Sequence, residues 1–431
     1  MRFHLSDFGS LYQNDSGIFL LMEDLDQALN QNPNIYMLGG GNPGFIAEIQ
    51  EYFYKKFKLF LENKKDFFQS IGIYDSPLGN VEFRKELAGF FNHLWSWDIS
   101  EDHIAIMQGS QNAFFILLNI FSGWSKQLKQ TLKVYFPLVP EYIGYENIPI
   151  QEDAVISTLG KRRQVDNYHF YYELDKDEIL KTIETDGSIG CMIISNPTNP
   201  TGKVFSLEEL RFLKTIADDY RIPVILDFAY GEPFPGIVYK KQEFLYSENF
   251  IYVFSFSKTG LPGLRAGFVI ANPDIISIIG RIQAIHHLAP SRIASFVLKG
   301  AFENLEFYHL CSQYIKPFYE KRRNLALSLL TKYFSSDEIQ IHQSEGAFFV
   351  WVEFPKLKIP IMDLYEILKK HSLIIVPGKF YFVGNSAHAN ETKAIRISFS
   401  QAEETIEKGI EILAKITKSY IDTSIQESIL K

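Results

Sequence analysis

The sequence is short of cysteine, of excess positive charge and of long apolar runs. Its only cysteines, Cys191 and Cys311, make no disulfide framework, and their spacing fits no zinc site, so no metal is expected. A net charge of −8 without a long basic run argues against nucleic acid as a partner. The apolar stretch at residues 17–22 is too short for a signal peptide or membrane span. A cytoplasmic protein with reduced thiols and no membrane partner is expected.

What remains is an ordinary globular composition, with 46% hydrophobic and 22% charged residues. A length of 431 residues indicates more than one domain, because single hydrophobic cores stop growing below this size. No internal repeat, low-complexity segment or long flexible linker divides the chain.

In the middle of the chain, short apolar runs alternate with helical patterns. The spacing of apolar residues predicts helix over Asn112–Phe121, and Ser206 and Glu209 form a capping box before a helix that reaches Tyr220. The predicted strands are Ile104–Met107, Lys133–Phe136, Gly190–Ser195, Pro223–Asp227, Phe250–Phe256 and Ala266–Ala271. Such alternation predicts an α/β domain whose mainly parallel sheet is covered on both faces.

From residue 290 onward the pattern changes. A long helical segment containing Tyr308–Leu330 precedes the strand candidates Phe348–Glu353 and Ile395–Phe399, which indicates a second, smaller α/β domain. The first 45 residues look irregular and are expected to join that domain or to embrace a partner subunit. The predicted division is an N-terminal arm (1–45), a large domain (46–300) and a C-terminal small domain (301–431).

Polar motifs follow three of the predicted strands, where an open α/β sheet places its ligand. They are Asn196–Gly202, Asp227–Tyr230 and Ser255–Lys258. A carboxylate that ends an apolar strand, as Asp227 does, is costly unless it meets a cation or donors. The protonated nitrogen of a pyridine ring would be both a cation and a donor. Its ion pair with Asp227 would keep that nitrogen protonated, and a protonated ring is an electron sink. Tyr230 and Asn199 could donate hydrogen bonds to a phenolate oxygen on that ring.

Further cations and a helix start complete this group of residues. A desolvated lysine near another cation, such as Lys258, becomes nucleophilic toward carbonyl groups. The planar fork of Arg265 suits a phosphate, and Ser110 and Gln111 open a helix whose free N–H groups suit the same anion. Arg396 lies in an apolar strand and is expected to bind a substrate carboxylate. Taken singly, each residue has an ordinary structural explanation, but their common order and spacing indicate one site.

At these residues the sequence resembles the fold-type I pyridoxal-phosphate aminotransferases of class I/II, over nearly its whole length. The supporting motifs are Asn-Pro-Thr-Gly, Asp-x-Ala-Tyr, Ser-x-Ser-Lys and Gly-x-Arg-x-Gly. The resemblance implies pyridoxal 5′-phosphate as the cofactor, a large domain with a mainly parallel seven-stranded sheet, and a smaller C-terminal α/β domain. It further implies transfer of an amino group from a small apolar amino acid, valine, to a 2-oxo acid, pyruvate.

The resemblance also implies a role for each residue. Lys258 would carry the cofactor as a Schiff base and move the substrate proton, Asp227 would pair with the ring nitrogen, and Tyr142 would stack on the ring. Tyr230 and Asn199 would hold the ring oxygen, and Gly40 or a neighbouring glycine would lie with Arg396 and Asn199 at the substrate. The phosphate would be held by Ser110, Gln111, Ser255, Ser257 and Arg265. In a homodimer, Tyr74 would reach the phosphate of the neighbouring subunit.

Two other functions share part of this pattern. A C–S lyase or another elimination enzyme has the same site motifs, so the sequence separates it poorly from an aminotransferase. A transcriptional regulator with an aminotransferase-like sensor domain would need an N-terminal DNA-binding module, and no basic helix-turn-helix pattern precedes the first phosphate motif. Arg292 is expected at the surface or an interface, and a second anion contact is its alternative role.

Overall fold

The computed structural model describes residues 4–13, 16–32, 34–385, 388–389 and 392–421. The strands are β1 Tyr36–Met37, β2 Ile104–Met107, β3 Gly123–Ser125, β4 Gln130–Val139, β5 Val155–Leu159, β6 Lys161–Gln164, β7 His169–Glu173, β8 Ile189–Ser195, β9 Val224–Asp227, β10 Phe250–Ser255, β11 Gly267–Ile270, β12 Gln340–His342, β13 Phe349–Glu353, β14 Leu373–Ile374, β15 Val376–Pro377 and β16 Ala394–Ser398. The α-helices are α1 Asp7–Leu11, α2 Gly17–Gln31, α3 Ala47–Glu62, α4 Lys64–Gly72, α5 Val81–Trp95, α6 Ser110–Phe121, α7 Lys176–Thr185, α8 Leu207–Tyr220, α9 Pro273–His286, α10 Arg292–Val297, α11 Glu306–Leu310, α12 Lys316–Tyr333, α13 Ile361–Lys370 and α14 Glu403–Ile421. Within the described ranges, no helix is both long and apolar enough to cross a membrane.

The central sheet has the strand order β2-β11-β10-β9-β8-β4, and both β3 and β5 pair with β4. Strands β10, β9, β8, β4 and β5 run parallel, whereas β11 is antiparallel to both of its neighbours. The predicted mainly parallel sheet is therefore confirmed. It has eight strands rather than seven, because the short strand β3 forms an antiparallel hairpin with the beginning of β4.

The strands that lead to the predicted motifs lie inside the core. Every residue of β2, β9, β10 and β11 is buried, as expected where helices cover both faces of a sheet. In the register of the sheet, Asp227 lies beside Ser195 on one neighbour and beside Val253 on the other. The segments that follow β8, β9 and β10 therefore emerge at one edge of the sheet.

A second sheet has the order β15-β16-β13-β12-β7-β6. Its strands β6 and β7 come from residues 161–173, within the range predicted as the large domain, and β7 pairs with β12 at Ile341 and His342. This hairpin joins the two halves of the chain through backbone hydrogen bonds. The domain boundaries at residues 45 and 300 stay a prediction, since sheet membership does not follow them.

The prediction that the first 45 residues are irregular is wrong for residues 17–31, which form helix α2. Ser16 caps this helix by accepting a hydrogen bond from the Phe19 amide, and Leu21 and Ala28 face the core. Strand β1 then pairs in parallel with β14, so the N-terminal segment joins the C-terminal part of the chain, as expected. The helix cap at Ser16 was not predicted from the sequence.

The long helix predicted around Tyr308–Leu330 is confirmed, but one turn of it has a wider, π-helical geometry. This turn, Cys311–Ile315, lies between α11 and α12 and ends two residues before Pro317. Proline has no N–H to donate, and its ring collides with the carbonyl group four residues earlier in a regular α-helix. The wider turn accommodates Pro317 without ending the helix.

Candidate active site

A cavity of about 220 Å³ lies at the edge of the central sheet where the motif-bearing strands end. Eleven of the thirteen predicted site residues line it, namely Ser110, Gln111, Tyr142, Asn199, Asp227, Tyr230, Ser255, Ser257, Lys258, Arg265 and Arg396. The structure therefore brings Lys258 and Asp227 to one cavity although they come from different strands. A larger cavity of about 780 Å³ lies elsewhere and contains none of these residues.

Two predicted residues lie outside this cavity. Gly40 is not in its wall, whereas both neighbouring glycines, Gly39 and Gly41, are. Tyr74 projects into solvent with 79% of its surface exposed, so it takes no part in the site of its own chain. Its expected contact with a neighbouring subunit stays a prediction.

One end of the cavity is built for an anion. Arg265 donates a hydrogen bond to Ser257 Oγ at 3.3 Å, and Ser255 Oγ donates to the same hydroxyl at 3.1 Å. The start of α6 at Ser110 and Gln111 also lines this cavity. A Cβ atom on Gly109 would lie 2.5 Å from Arg265 Nη2, so the glycine leaves room for the guanidinium group. The guanidinium group, the two serine hydroxyls and the start of the helix together suit a phosphate.

Asp227 is held from behind by two donors. Its Oδ1 accepts from the Ala229 amide at 2.8 Å, and its Oδ2 accepts from the Tyr145 hydroxyl at 2.6 Å. Burial raises the pKa of Asp227 to about 6, and these two hydrogen bonds act in the opposite direction. A buried carboxyl with a raised pKa becomes fully ionised beside a cation, as a protonated ring nitrogen would be.

Lys258 lines the same cavity, and its Nζ donates to the Gly41 carbonyl at 2.6 Å. Burial, followed by the positive charge of Arg396, lowers the pKa of Lys258 to about 8. Near neutral pH a useful fraction of this amine is therefore unprotonated and able to attack a carbonyl or accept a proton.

Arg396 closes the cavity from strand β16. Its Nη1 donates to Asn199 Oδ1 at 2.8 Å and its Nη2 to the Gly39 carbonyl at 2.9 Å. Among the described residues, neither Arg396 Nε nor the Tyr381 hydroxyl has a hydrogen-bond partner, although both are buried. Unpaired buried donors call for an acceptor from a ligand, which a carboxylate provides.

Sequence reasoning missed several residues of the site. Tyr145 and Tyr381 belong to it only because the fold brings them there. The apolar wall of the cavity includes Ile18, Leu21, Met22 and Leu25 from α2, with Phe114, Ile143 and Phe349. None of these residues belongs to the motifs that carry the family resemblance. Apolar residues carry no signal that separates a pocket wall from a core.

These residues fit pyridoxal 5′-phosphate. The anion site, the carboxylate of Asp227 and the amine of Lys258 match the phosphate, the ring nitrogen and the aldehyde carbon of that molecule. The Tyr230 hydroxyl stays protonated, because burial raises the pKa of Tyr230 well above its usual value, and it can donate to the ring oxygen. The fold and this donor set define a pyridoxal-phosphate enzyme that acts on amino acids.

The chain belongs to the family described as aminotransferase class I and II, whose model matches residues 54–413. It is 37% identical over 409 residues to the valine–pyruvate aminotransferase of Escherichia coli (strain K12), covering 95% of this chain and 96% of that protein. Pyridoxal 5′-phosphate is the cofactor of this family, and this protein is an aminotransferase that depends on it.

Solved structures agree with this assignment. A putative amino-acid aminotransferase from Psychrobacter arcticum 273-4 superposes with a TM-score of 0.93 at 35% identity, over 98% of this chain and all of that chain. The valine–pyruvate aminotransferase of Salmonella typhimurium LT2 superposes with a TM-score of 0.83 at 34% identity, over 93% of this chain and 99% of that one.

The contact between Tyr145 and Asp227 leads to a testable expectation. A Tyr145→Phe substitution removes the donor to Asp227 Oδ2, which destabilises the carboxylate and raises the pKa of Asp227 further. Because a hydrogen bond to a charged group contributes about 1.5–3 kcal/mol, the acidic limb of the kcat profile should move upward by about one pH unit. Turnover should fall most at low pH.

The matched control is Tyr135→Phe, which removes a buried hydroxyl that pairs with Thr158 Oγ1 at 2.6 Å, outside the cavity wall. Its pH profile of kcat should overlay that of the unmodified enzyme. Coincident acidic limbs for Tyr145→Phe and the unmodified enzyme would show that Tyr145 has no influence on Asp227.

Proposed function

We propose that the protein transfers the amino group of L-valine to pyruvate, giving 2-oxoisovalerate and L-alanine. The observation that supports this substrate class is the wall of the cavity, which apolar side chains of α2 share with Arg396, whose buried Nε has no hydrogen-bond partner among the described residues. The named relatives from Escherichia coli and Salmonella typhimurium act on the same pair.

Arg396 is proposed to bind the α-carboxylate of the amino acid. Its Nη1 and Nη2 are held by Asn199 and Gly39, so the guanidinium plane has a set orientation before the substrate arrives. Its face also packs 4.0 Å from the centre of the Phe349 ring. A fixed arginine loses little freedom on binding, which favours planar recognition of a carboxylate.

The substrate side chain is proposed to contact Leu21, Met22 and Ile18. The described residues of the cavity wall include three cations, and Lys258 and Arg265 are assigned to the aldehyde carbon and phosphate of the cofactor. None is then left over in the described part of the cavity wall for a second carboxylate, which disfavours aspartate or glutamate as donors. Discrimination among small apolar side chains is shallow, about 1–3 kcal/mol per methylene, so overlapping use of similar amino acids is expected.

In the proposed reaction the protein binds, orients and moves one proton. When bound, the cofactor supplies a protonated ring that accepts electron density from the substrate Cα. Lys258 would take the proton from the substrate Cα and return it at cofactor C4′, and its lowered pKa suits both transfers. Asp227 would keep the ring nitrogen protonated, while Tyr230 and Asn199 would hold the ring oxygen. The apolar wall of α2 limits the entry of water.

A half-reaction tests this proposal. Mixing the holoenzyme with valine should convert the visible absorbance of the cofactor to that of its amino form, and pyruvate should reverse the change. No conversion with any small apolar amino acid would refute the proposal. Release of pyruvate from a cysteine conjugate without an amino acceptor would instead indicate the elimination reaction.

We also propose a homodimer in which Tyr74 enters the neighbouring site. The segment around Tyr74 exposes Ile71, Ile73 and Tyr74, each more than half exposed, and Ile285 is 89% exposed. Exposed apolar groups in this number favour a protein interface. Arg292 is not a free surface residue, because it binds Asp75 Oδ2 at 2.9 Å and the Gln69 carbonyl at 2.6 Å. These contacts hold the Tyr74 segment in position.

A Tyr74→Phe substitution should leave the dimer intact and weaken cofactor binding by about tenfold, as expected for one lost hydrogen bond to a charged group. Light scattering reports the assembly, and titration of the cofactor absorbance reports the dissociation constant. Tyr220→Phe, which removes a hydroxyl 3.3 Å from Glu184, serves as the exposed control.

Mixed dimers sharpen this test. A subunit with Lys258→Ala and a subunit with Tyr74→Phe together form one site that contains both native residues. At limiting cofactor, the mixture should be more active than the Tyr74→Phe dimer. Activity no higher than the average of the two parents would show that Tyr74 does not act across the interface.

The cytoplasm stays the expected location. Its support is the state of the cysteines, since Cys191 and Cys311 are both buried and free in the structure. Free thiols persist in a reducing compartment, so this observation agrees with the expectation from the sequence.

A further inference from the structure

We infer that Glu141 is a positioning residue for the cofactor. It holds the Tyr142 ring through the backbone amide of Tyr142, and it holds the backbone amide of Asn199 through Ser195. The inference rests on the proposed roles of Tyr142 and Asn199. Glu141 itself is not in the cavity wall, and it lies directly before Tyr142 at the end of the segment that follows β4. None of the site motifs contains it.

The carboxyl group of Glu141 is fully buried and accepts three hydrogen bonds. Oε1 accepts from the Tyr142 amide at 2.7 Å and from the Ser195 hydroxyl at 2.5 Å, and Oε2 accepts from the Ser195 amide at 2.9 Å. A buried carboxyl is more costly than an apolar side chain of the same size. Its donors belong to two separate segments, Tyr142 after β4 and Ser195 at the end of β8, so Glu141 can orient both.

The contacts continue from Ser195 toward the ligand. Ser195 Oγ donates to Glu141 and accepts from the backbone amide of Asn199 at 3.0 Å. The side-chain oxygen of Asn199 in turn accepts from Arg396 at 2.8 Å. On the other branch, Tyr142 turns its ring over Gly144, where a Cβ atom would lie 2.3 Å from the ring. One carboxylate therefore connects the residue proposed to stack on the ring with the residue proposed to hold its oxygen.

The ionised form of Glu141 fits this arrangement, because a carboxylate accepts all three donors without offering one of its own. Burial raises the pKa of Glu141 to about 8 even though the three donors lower it, so the carboxylate form predominates only above about pH 8, where the comparison with Glu141→Gln is made. A glutamine at this position keeps the volume but cannot match the donors. Whichever way its amide is turned, its NH₂ group faces the Tyr142 amide or the Ser195 amide, and one hydrogen bond is lost.

The test is Glu141→Gln in the holoenzyme. We expect the dissociation constant of pyridoxal 5′-phosphate to rise by about tenfold, as for one lost hydrogen bond to a charged group. At saturating cofactor, the visible circular dichroism per bound cofactor should also fall, since this signal depends on how the ring is oriented. Loss of stability alone would not change dichroism in a fully occupied, folded sample.

The control is Glu146→Gln, which changes a half-buried glutamate that accepts from the Gly384 amide at 3.3 Å, outside the cavity wall. It should leave both readouts unchanged. If Glu141→Gln does not fold, Ser195→Ala removes only the Oγ link, and it should weaken cofactor binding and lower the dichroism in the same direction.

Native dissociation constants and native dichroism in the folded variant would overturn the inference, even if its thermal unfolding temperature fell. Failure of the valine half-reaction in the unmodified enzyme would refute the proposed function instead. That failure would leave the binding and dichroism comparison intact, so the two outcomes are distinguishable.

Discussion

Replacing Lys258 with alanine is expected to lower turnover by roughly 10⁴-fold, the upper range for the loss of a positioned general base. The substitution removes both the amine that attaches the cofactor and the group that moves the Cα proton. The visible absorbance of the attached cofactor should disappear with it. Because the Nζ atom makes a single hydrogen bond to the described residues, at the Gly41 carbonyl, the fold should remain intact by far-ultraviolet circular dichroism.

Lys258→Arg separates the charge of this residue from its chemistry. Arginine keeps a cation at the site but stays protonated at every pH that proteins tolerate, so it cannot act as a base. Both variants should therefore be inactive, while each still binds the cofactor through the anion site. Turnover near the native rate in Lys258→Ala would remove this residue from its proposed role.

The second large effect is expected for Asp227→Asn, a loss of about 10³-fold in the rate of the half-reaction, within the range typical of acid–base contributions. Asparagine can still accept from the Ala229 amide, so the local structure should survive. It has no charge to keep the ring nitrogen protonated, and the ring then accepts electron density poorly. Single-turnover kinetics with valine measures this step directly.

Asp186→Asn is the control, because Asp186 pairs with Lys133 at 2.7 Å and lies outside the cavity wall. Its half-reaction should proceed at the native rate. If Asp227→Asn also kept a rate within threefold of native, the ring nitrogen would not depend on this carboxylate, and the site would have to be assigned differently.

The polar part of the site was predictable because its chemistry requires rare residue types at strand ends. Asp227 and Lys258 each follow a run of buried apolar residues, and a charged group in such a place needs a partner. Parallel strands bring their carboxyl ends to one edge, so residues 31 positions apart were expected together. In the structure both residues line one cavity.

The supporting residues were not predictable in the same way. Tyr145 reaches Asp227 across 82 residues of sequence, and Glu141 reaches Ser195 across 54. A tyrosine or glutamate in a loop has no local signal for such a partner. The same holds for Ile18 and Leu21, whose spacing on α2 is that of any helix packed on a core. The hairpin of β6 and β7 showed no sign in the sequence that it would pair with β12.

The strand–helix alternation, the mainly parallel sheet and the order of the polar motifs are local properties, since periodicity and residue type act over a few neighbouring positions. Which buried side chain accepts from which donor depends instead on how distant segments pack. Burial removes water as the alternative partner, so each polar group at the site takes the partner that the fold places within hydrogen-bonding distance. The unpaired nitrogen of Arg396, the support of Asp227 by Tyr145 and the apolar wall of α2 arise only at that level.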